Sequence, residues 1–234
     1  MTRARLGAEE RRKAIVEAAM PLFAQKGFAG TTTREIARAA CVSEALLFQH
    51  FPSKAALYQA IVARGCEGDP ELEKLTLLPP CTATLVHMTR LMLEHFVLGA
   101  LGDPKEREVQ HRLMLNSFLE DGVYARLVCA WVTEQVRPLY EASMAAAAAA
   151  GDLRPGADVS PDAFWFAEHV AAMIAYARLP SVPTVPYEGS IEVVIRDALR
   201  FILRGLGLTD TAIARHVDPD PAVGGTANND EAPA

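Results

Sequence analysis

The sequence predicts an all-α protein in two parts: an N-terminal three-helix domain built around a helix-turn-helix motif, and a larger helical domain after it. Three observations carry this prediction. Apolar residues recur at three- and four-residue spacing along most of the 234 residues, and no period-two alternation competes with them. Capping residues and proline or glycine breaks punctuate the chain at helix-length intervals. The charge is split: residues 1–64 hold ten Lys or Arg against five Asp or Glu, a net of +5, while the rest holds thirteen against twenty-four, a net of −11.

The first helix carries Arg11, Arg12 and Lys13 near its start and ends at Leu22 to Phe28. Pro21 falls inside it, where it removes a donor and crowds a preceding carbonyl, so a kink is expected near Glu17. Thr32 and Glu35 have the spacing of a capping box and start a second, short helix, with Ile36, Ala37 and Ala40 on its apolar face and Arg34 and Arg38 elsewhere. After a joint at Cys41 and Val42, Ser43 is a good N-cap for a third helix that shares Leu47 and Phe51 on one side. Pro52 ends it, and Ser53 caps a fourth helix from Lys54 to Arg64.

Two short helices crossed at a tight joint, the second with a free polar face, have the geometry that sets a helix into the major groove of a duplex. That face carries Ser43, Glu44, Ala45, Gln49 and His50, and Leu46 and Phe48 of the same helix are counted with them as DNA-binding residues. Gln49 can bond the edge of adenine, and His50 can reach base or phosphate. Glu44 either reads a cytosine amino group or turns away, because phosphates repel a carboxylate. The same residues also fit a three-helix core with merely solvated faces. The basic excess favours DNA, since cations gain affinity by releasing counterions from phosphates, and the acidic remainder is a poor surface for it. Arg3 and Arg5, ahead of Arg11, Arg12 and Lys13, can follow the backbone or enter a minor groove.

The stretch from Arg11 to Val62 resembles the DNA-binding domain of the TetR/AcrR family of bacterial transcriptional regulators. The matching positions are Leu22 to Phe28, Thr31 and Thr32, Glu35 to Ala37, Val42 and Ser43, and Phe51 to Lys54 with Leu57 and Tyr58. The resemblance implies phosphate contacts from Thr31, Thr33, His50 and Lys54, with Thr32 and Arg34 in the same segment, and base readout from Ser43 to Gln49. It departs from the family pattern at Phe48, usually Tyr, and at Ala45, usually Gly. A phenol-to-phosphate bond is therefore lost and apolar contact, for instance with a thymine methyl, remains. The implied division is a DNA-binding domain over residues 8–64 with its motif at 32–51, and an effector-binding and dimerisation domain over 65–210.

Breaks at Gly65, Gly68 to Pro70 and Pro79-Pro80 precede an expected helix from Thr82 to Leu101, and Asp103-Pro104 opens another to Glu120. A long helix from Val123 to Ala150 is expected to bend at Pro138. Ser160-Pro161 opens one to Arg178, and Ser190 one to Leu206, while residues 218–234, rich in Pro, Gly, Asn and Asp, read as a disordered tail.

The last two long helices carry an assembly signal. Ala163, Ala167, Ala171 and Ala175 repeat every four residues, and Ile191, Val194, Ile195, Ala198, Leu199 and Ile202 form one apolar stripe. The stripes suit a four-helix dimer interface or the domain's own core. The resemblance implies the first, with two reading heads about 34 Å apart on a near-palindromic operator. Met88, Met92, His95, Phe96, Phe118, Trp131, Trp165, His169 and Met173 can line a pocket for an apolar or aromatic small-molecule effector, or be plain core.

No metal site or cofactor is expected. Cys41, Cys66, Cys81 and Cys129 are widely separated with no Cys-x-x-Cys pair, and His87, Glu94 and His95 lack the four-residue pairing that aims two ligands at one ion. Without a nucleophile motif or phosphate-binding glycine loop, a helical enzyme using His87, Glu94, His95, His111 or His169 is the weaker reading, and an interaction protein using the helical domain alone is a third. Neither a membrane-length apolar run nor a secretory pattern is present, so a cytoplasmic protein without a membrane partner is expected.

Overall fold

A computed structural model of the chain describes residues 7–66, 74–98, 104–120 and 122–217, so the expected tail at 218–234 and the early arginines Arg3 and Arg5 lie outside the described residues. Among the described residues the regular elements are all α-helices, joined by turns and loops, with an isolated bridge between Leu153 and Leu208. Packing separates the chain into two units, one formed by residues 1–76 with 101–136, the other by 77–100 with 137–234.

The first unit contains α1 (Ala8–Gly30), α2 (Thr33–Ala39), α3 (Glu44–His50), α4 (Lys54–Cys66), α6 (Pro104–Leu119) and α7 (Val123–Gln135). Two helices from beyond residue 64 thus complete the packing of the N-terminal helices. Ile15, Ala19 and Phe23 of α1, Ile36 of α2, Leu47 and Phe51 around α3, Leu57 and Ile61 of α4 and Leu113 of α6 share one buried core. Tyr58 is its aromatic hinge, with ring centroids 4.6 Å from Phe23, 4.9 Å from Phe28 and 5.7 Å from Tyr124.

The break in α1 is not where Pro21 predicted it. Dihedrals stay helical around Pro21 and depart only at Gly27, with φ 68° and ψ 179°. Pro21 and Glu17 both face solvent, where a carbonyl without its helical donor is readily hydrated, so the proline is accommodated without a turn of the chain. The Glu17 carboxylate meets Arg64 of α4 at 2.6 Å.

The second unit contains α5 (Thr82–Val97), α8 (Arg137–Ala149), α9 (Ala163–Tyr176), α10 (Ile191–Gly205) and α11 (Asp210–Val217). The expected long helix is two helices, because the chain leaves helical bonding at Val136, just before Pro138 fails to supply a donor. Helix α9 starts at Ala163, later than Ser160-Pro161 implies, and α11, a further helix beyond those expected, follows Thr209, whose hydroxyl accepts from the Ala212 amide at 3.1 Å. Buried Asp152 ties this unit together by accepting from Thr82 at 2.7 Å and from Arg215 at 3.1 Å.

The small-residue stripe faces inward. Ala167, Ala171 and Ala175 are at most 5% exposed, and Val194, Ile195, Leu199 and Ile202 of α10 are buried as well. Alanines let α9 lie close against α5, which is where the stripe is used. The dimer expectation placed on these two stripes is therefore corrected at the level of residues. The opposite face carries the exposed apolar groups Phe166 (57% exposed), Met173 (61%) and Phe201 (68%).

Candidate nucleic-acid interface

The helix-turn-helix is built from side chains that satisfy backbone ends. Thr32 caps α2: its hydroxyl accepts from the Glu35 amide at 3.2 Å, and the Glu35 carboxylate accepts from the Thr32 amide at 3.0 Å. Lys26 donates to the same carboxylate at 2.6 Å. Lys26 foremost, then the Thr32 amide and hydroxyl, pull the Glu35 carboxyl down to about 2, so the cap stays charged at any physiological pH. Ser43 caps α3 by accepting from the Leu46 amide at 3.1 Å. Ser53 does the same for α4, accepting from Ala56 at 3.1 Å.

Between α2 and α3 the chain makes a Schellman turn. The Val42 amide donates to the Ala37 carbonyl at 2.9 Å and the Cys41 amide to the Arg38 carbonyl at 3.1 Å. Cys41 takes the left-handed position with φ 55°, and is the only non-glycine residue with positive φ among the described residues. Cys41 thus occupies a position whose backbone suits glycine best. Leu47 of α3 is buried beneath this turn, while Ser43, Glu44, Ala45, Phe48 and Gln49 are exposed and Leu46 and His50 are half-buried. The two helical turns from Ser43 to His50 therefore present one continuous free face.

Glu44 does not point freely from that face. Its carboxylate accepts the Thr33 hydroxyl at 3.1 Å, which draws it toward α2. The other groups expected at phosphate are similarly committed. Thr31 is fully buried and donates to the carbonyls of Gly27 at 2.8 Å and Leu22 at 3.2 Å, and Thr32 donates to Glu35 at 2.9 Å. Lys54 donates to the carbonyls of Phe28 at 2.7 Å and Thr31 at 3.0 Å. These hydroxyls and this ammonium hold the backbone that presents the motif, a role the resemblance did not convey. Arg34 stays exposed on α2. The end of α3 is fixed by Arg12, which donates to the His50 carbonyl at 2.9 Å and lies 4.3 Å over the Phe51 ring.

The residues expected to line an effector pocket divide between the two units. Phe118 and Trp131 belong to the first unit, where Phe118 is 59% exposed. In the second unit Met88 is core, Met92, His95, Phe96 and Trp165 are half-buried, and His169 and Met173 lie on the outer face of α9. Those last two border a groove of about 650 Å³ between α9 and α10, with Tyr187, Asp197 and Phe201 on its other edges. Among the described residues no group of three or more His, Cys, Asp or Glu is placed to hold a metal ion. No described helix is long and apolar enough to cross a membrane.

Comparison with known proteins falls on the same motif. Residues 15–61 match the model for bacterial regulatory proteins of the tetR family. The uncharacterized HTH-type transcriptional regulator YvkB of Bacillus subtilis is 46% identical over 52 residues, which cover 22% of this chain and 28% of the relative. The HTH-type transcriptional regulator RutR of Escherichia coli is 48% identical over 52 residues, covering 22% of this chain and 24% of the relative. The chain thus spans about a quarter of the length of the curated relatives it matches. Over a longer span, the crystal structure of NalD, the secondary repressor of the MexAB-OprM multidrug efflux pump in Pseudomonas aeruginosa, shares the fold. It has a TM-score of 0.59 and 21% identity, covering 87% of this chain and 100% of that one. Residues 15–61 thus form a helix-turn-helix domain similar to those of the tetR family of bacterial regulatory proteins.

Proposed function

We propose that the protein is a cytoplasmic, sequence-specific DNA-binding transcriptional regulator, a homodimeric repressor that leaves a near-palindromic operator when a small apolar or aromatic effector binds its second unit. One observation carries the reading. The face of α3 from Ser43 to His50 is open, its ends are fixed by the Ser43 cap and by Arg12, and it belongs to the positively charged part of an acidic chain. Gln49 and the Ala45 and Phe48 surfaces supply base readout, the last two by contact with thymine methyls, while Arg34 and His50 meet phosphate. The repressor sense is supported by the name of the structural neighbour NalD, a repressor.

An effector acts by favouring a different spacing of the two reading heads, and a coupling of roughly 1–3 kcal/mol changes operator affinity severalfold to about a hundredfold. The test is selection of duplexes from a random pool by the intact protein at moderate ionic strength. Enrichment of paired half-sites about one helical turn apart is expected, with the preferred bases altered by Gln49→Ala. No enrichment of any duplex overturns the reading.

A further inference from the structure

The break at Gly27 removes one specific hydrogen bond from α1, and both halves of it are taken up by the end of α6. In an unbroken helix the Phe28 amide would donate to the Ala24 carbonyl, four residues back. Instead, the Phe28 amide donates to Oε2 of Glu120 at 2.9 Å, and the Ala24 carbonyl accepts from Nδ2 of Asn116 at 2.7 Å. The Ala29 amide also reaches Glu120 Oε2, at 3.4 Å. The fit is close: a Cβ built on Gly27 would fall inside the Glu120 carboxylate, and φ of 68° with ψ of 179° is backbone that only glycine adopts readily. Asn116 and Glu120 are four residues apart, one turn of α6, so one short face of that helix replaces one lost backbone bond.

The held segment leads directly into the reading motif. The Phe28 and Thr31 carbonyls are bound by Lys54, and Thr32 is the cap of α2. We propose that Glu120 and Asn116 are positioning residues for DNA recognition: they set the direction in which the chain leaves α1 and hence the orientation of α2 and α3. The proposal rests on the DNA-reading function argued above. It assigns to two side chains, more than sixty residues beyond the motif, a share of operator affinity without contact to DNA.

The test uses the full-length protein and an operator selected by the wild type, so failure to select any duplex counts against the DNA-reading function and is separable from failure of the positioning role. Glu120→Ala and Glu120→Gln are compared on that operator and on a scrambled duplex, with melting followed in parallel. Glu120 is a solvent-facing residue, so both variants keep the core. Glu120→Ala is expected to weaken operator binding about tenfold while leaving scrambled-duplex binding within about twofold. Glu120→Gln retains an oxygen that can accept the Phe28 amide and is expected to recover most of the loss. The proposal is overturned if Glu120→Ala binds the operator like the wild type. It is equally overturned if operator and scrambled duplex weaken together, with the glutamine variant no better than the alanine.

Discussion

Lys54 Nζ donates to the Phe28 carbonyl oxygen at 2.7 Å and lies 4.3 Å above the ring of the same residue. With its further bond to the Thr31 carbonyl, the ammonium serves α1 and α4 before it serves any phosphate. Bonds from a charged donor contribute about 1.5–3 kcal/mol where they are sheltered, and this side chain is half-buried. Lys54→Met, which keeps the stem and removes the donors, is expected to lower the stability of the first unit by about 2 kcal/mol, read from chemical denaturation. A lysine used chiefly on phosphate would instead leave stability unchanged and reduce the slope of log affinity against log salt by about 0.9.

Cys41 stands where a helix ending in a Schellman turn usually has glycine, and its φ of 55° brings its Cβ toward the following carbonyl. Cys41→Gly should therefore raise stability by about 1 kcal/mol, seen as a higher melting temperature, with α2 and α3 unchanged in orientation. Cys41→Val should lower it by more, because a β-branched side chain is the worst fit to that backbone. Equal melting temperatures for the glycine and valine variants would remove the strain argument.

The local elements of the first unit were legible because their causes are local. Thr32 with Glu35, Ser43 and Ser53 are caps whose partners lie within three residues, and each forms as the spacing predicts. What the sequence could not show was long-range. Glu120 lies 91 and 92 residues from the amides it binds, and nothing near it announces that role. Gly27 did carry a signal, a glycine inside a helical pattern, but Pro21 offered a stronger one and drew the expected kink to the wrong turn. The alanine stripe of α9 is a close-packing face, as its four-residue spacing predicts; periodicity alone does not say whether the packed neighbour is another copy or, as here, α5. The proposed pocket residues mixed both faces of α9 for the same reason.

Glu168 sits on α9 with a side chain 20% exposed, and its carboxylate is 3.6 Å from Nε2 of His169. Burial raises its carboxyl from the ordinary 4.5 to about 7. Below about 4.5 the group is protonated in folded and unfolded chains alike and has no effect on the balance. As pH rises from there to about 7, the unfolded chain releases the proton while the folded chain holds it, so stability falls; above about 7 the full penalty is present. Glu168→Gln should flatten this decline and make the protein more stable at pH 8 by roughly 3 kcal/mol, with little change at pH 4. Denaturation midpoints across that range check it, and an unchanged pH slope in the variant would place the dependence elsewhere.

Phe166, Met173 and Phe201 are exposed apolar side chains on the side of α9 and α10 away from the buried alanine stripe, and Met173 and Phe201 line the 650 Å³ groove. Aromatic and methionine side chains left in water on adjacent helices are the composition expected of an interface. This face is the natural seat of the proposed homodimer. Phe201→Asp puts a charge at its most exposed aromatic and leaves the inward residues Leu199, Ile202 and Leu203 in place, so the protomer should fold while association fails. Light scattering is expected to show a dimer for the wild type and a monomer for the variant. Two heads held on one duplex gain from the second contact being intramolecular, so the monomer should lose operator affinity by roughly a hundredfold or more while retaining its weak affinity for a half-site. A variant that stays dimeric, or a monomer that still binds the full operator tightly, would show that some other surface joins the heads.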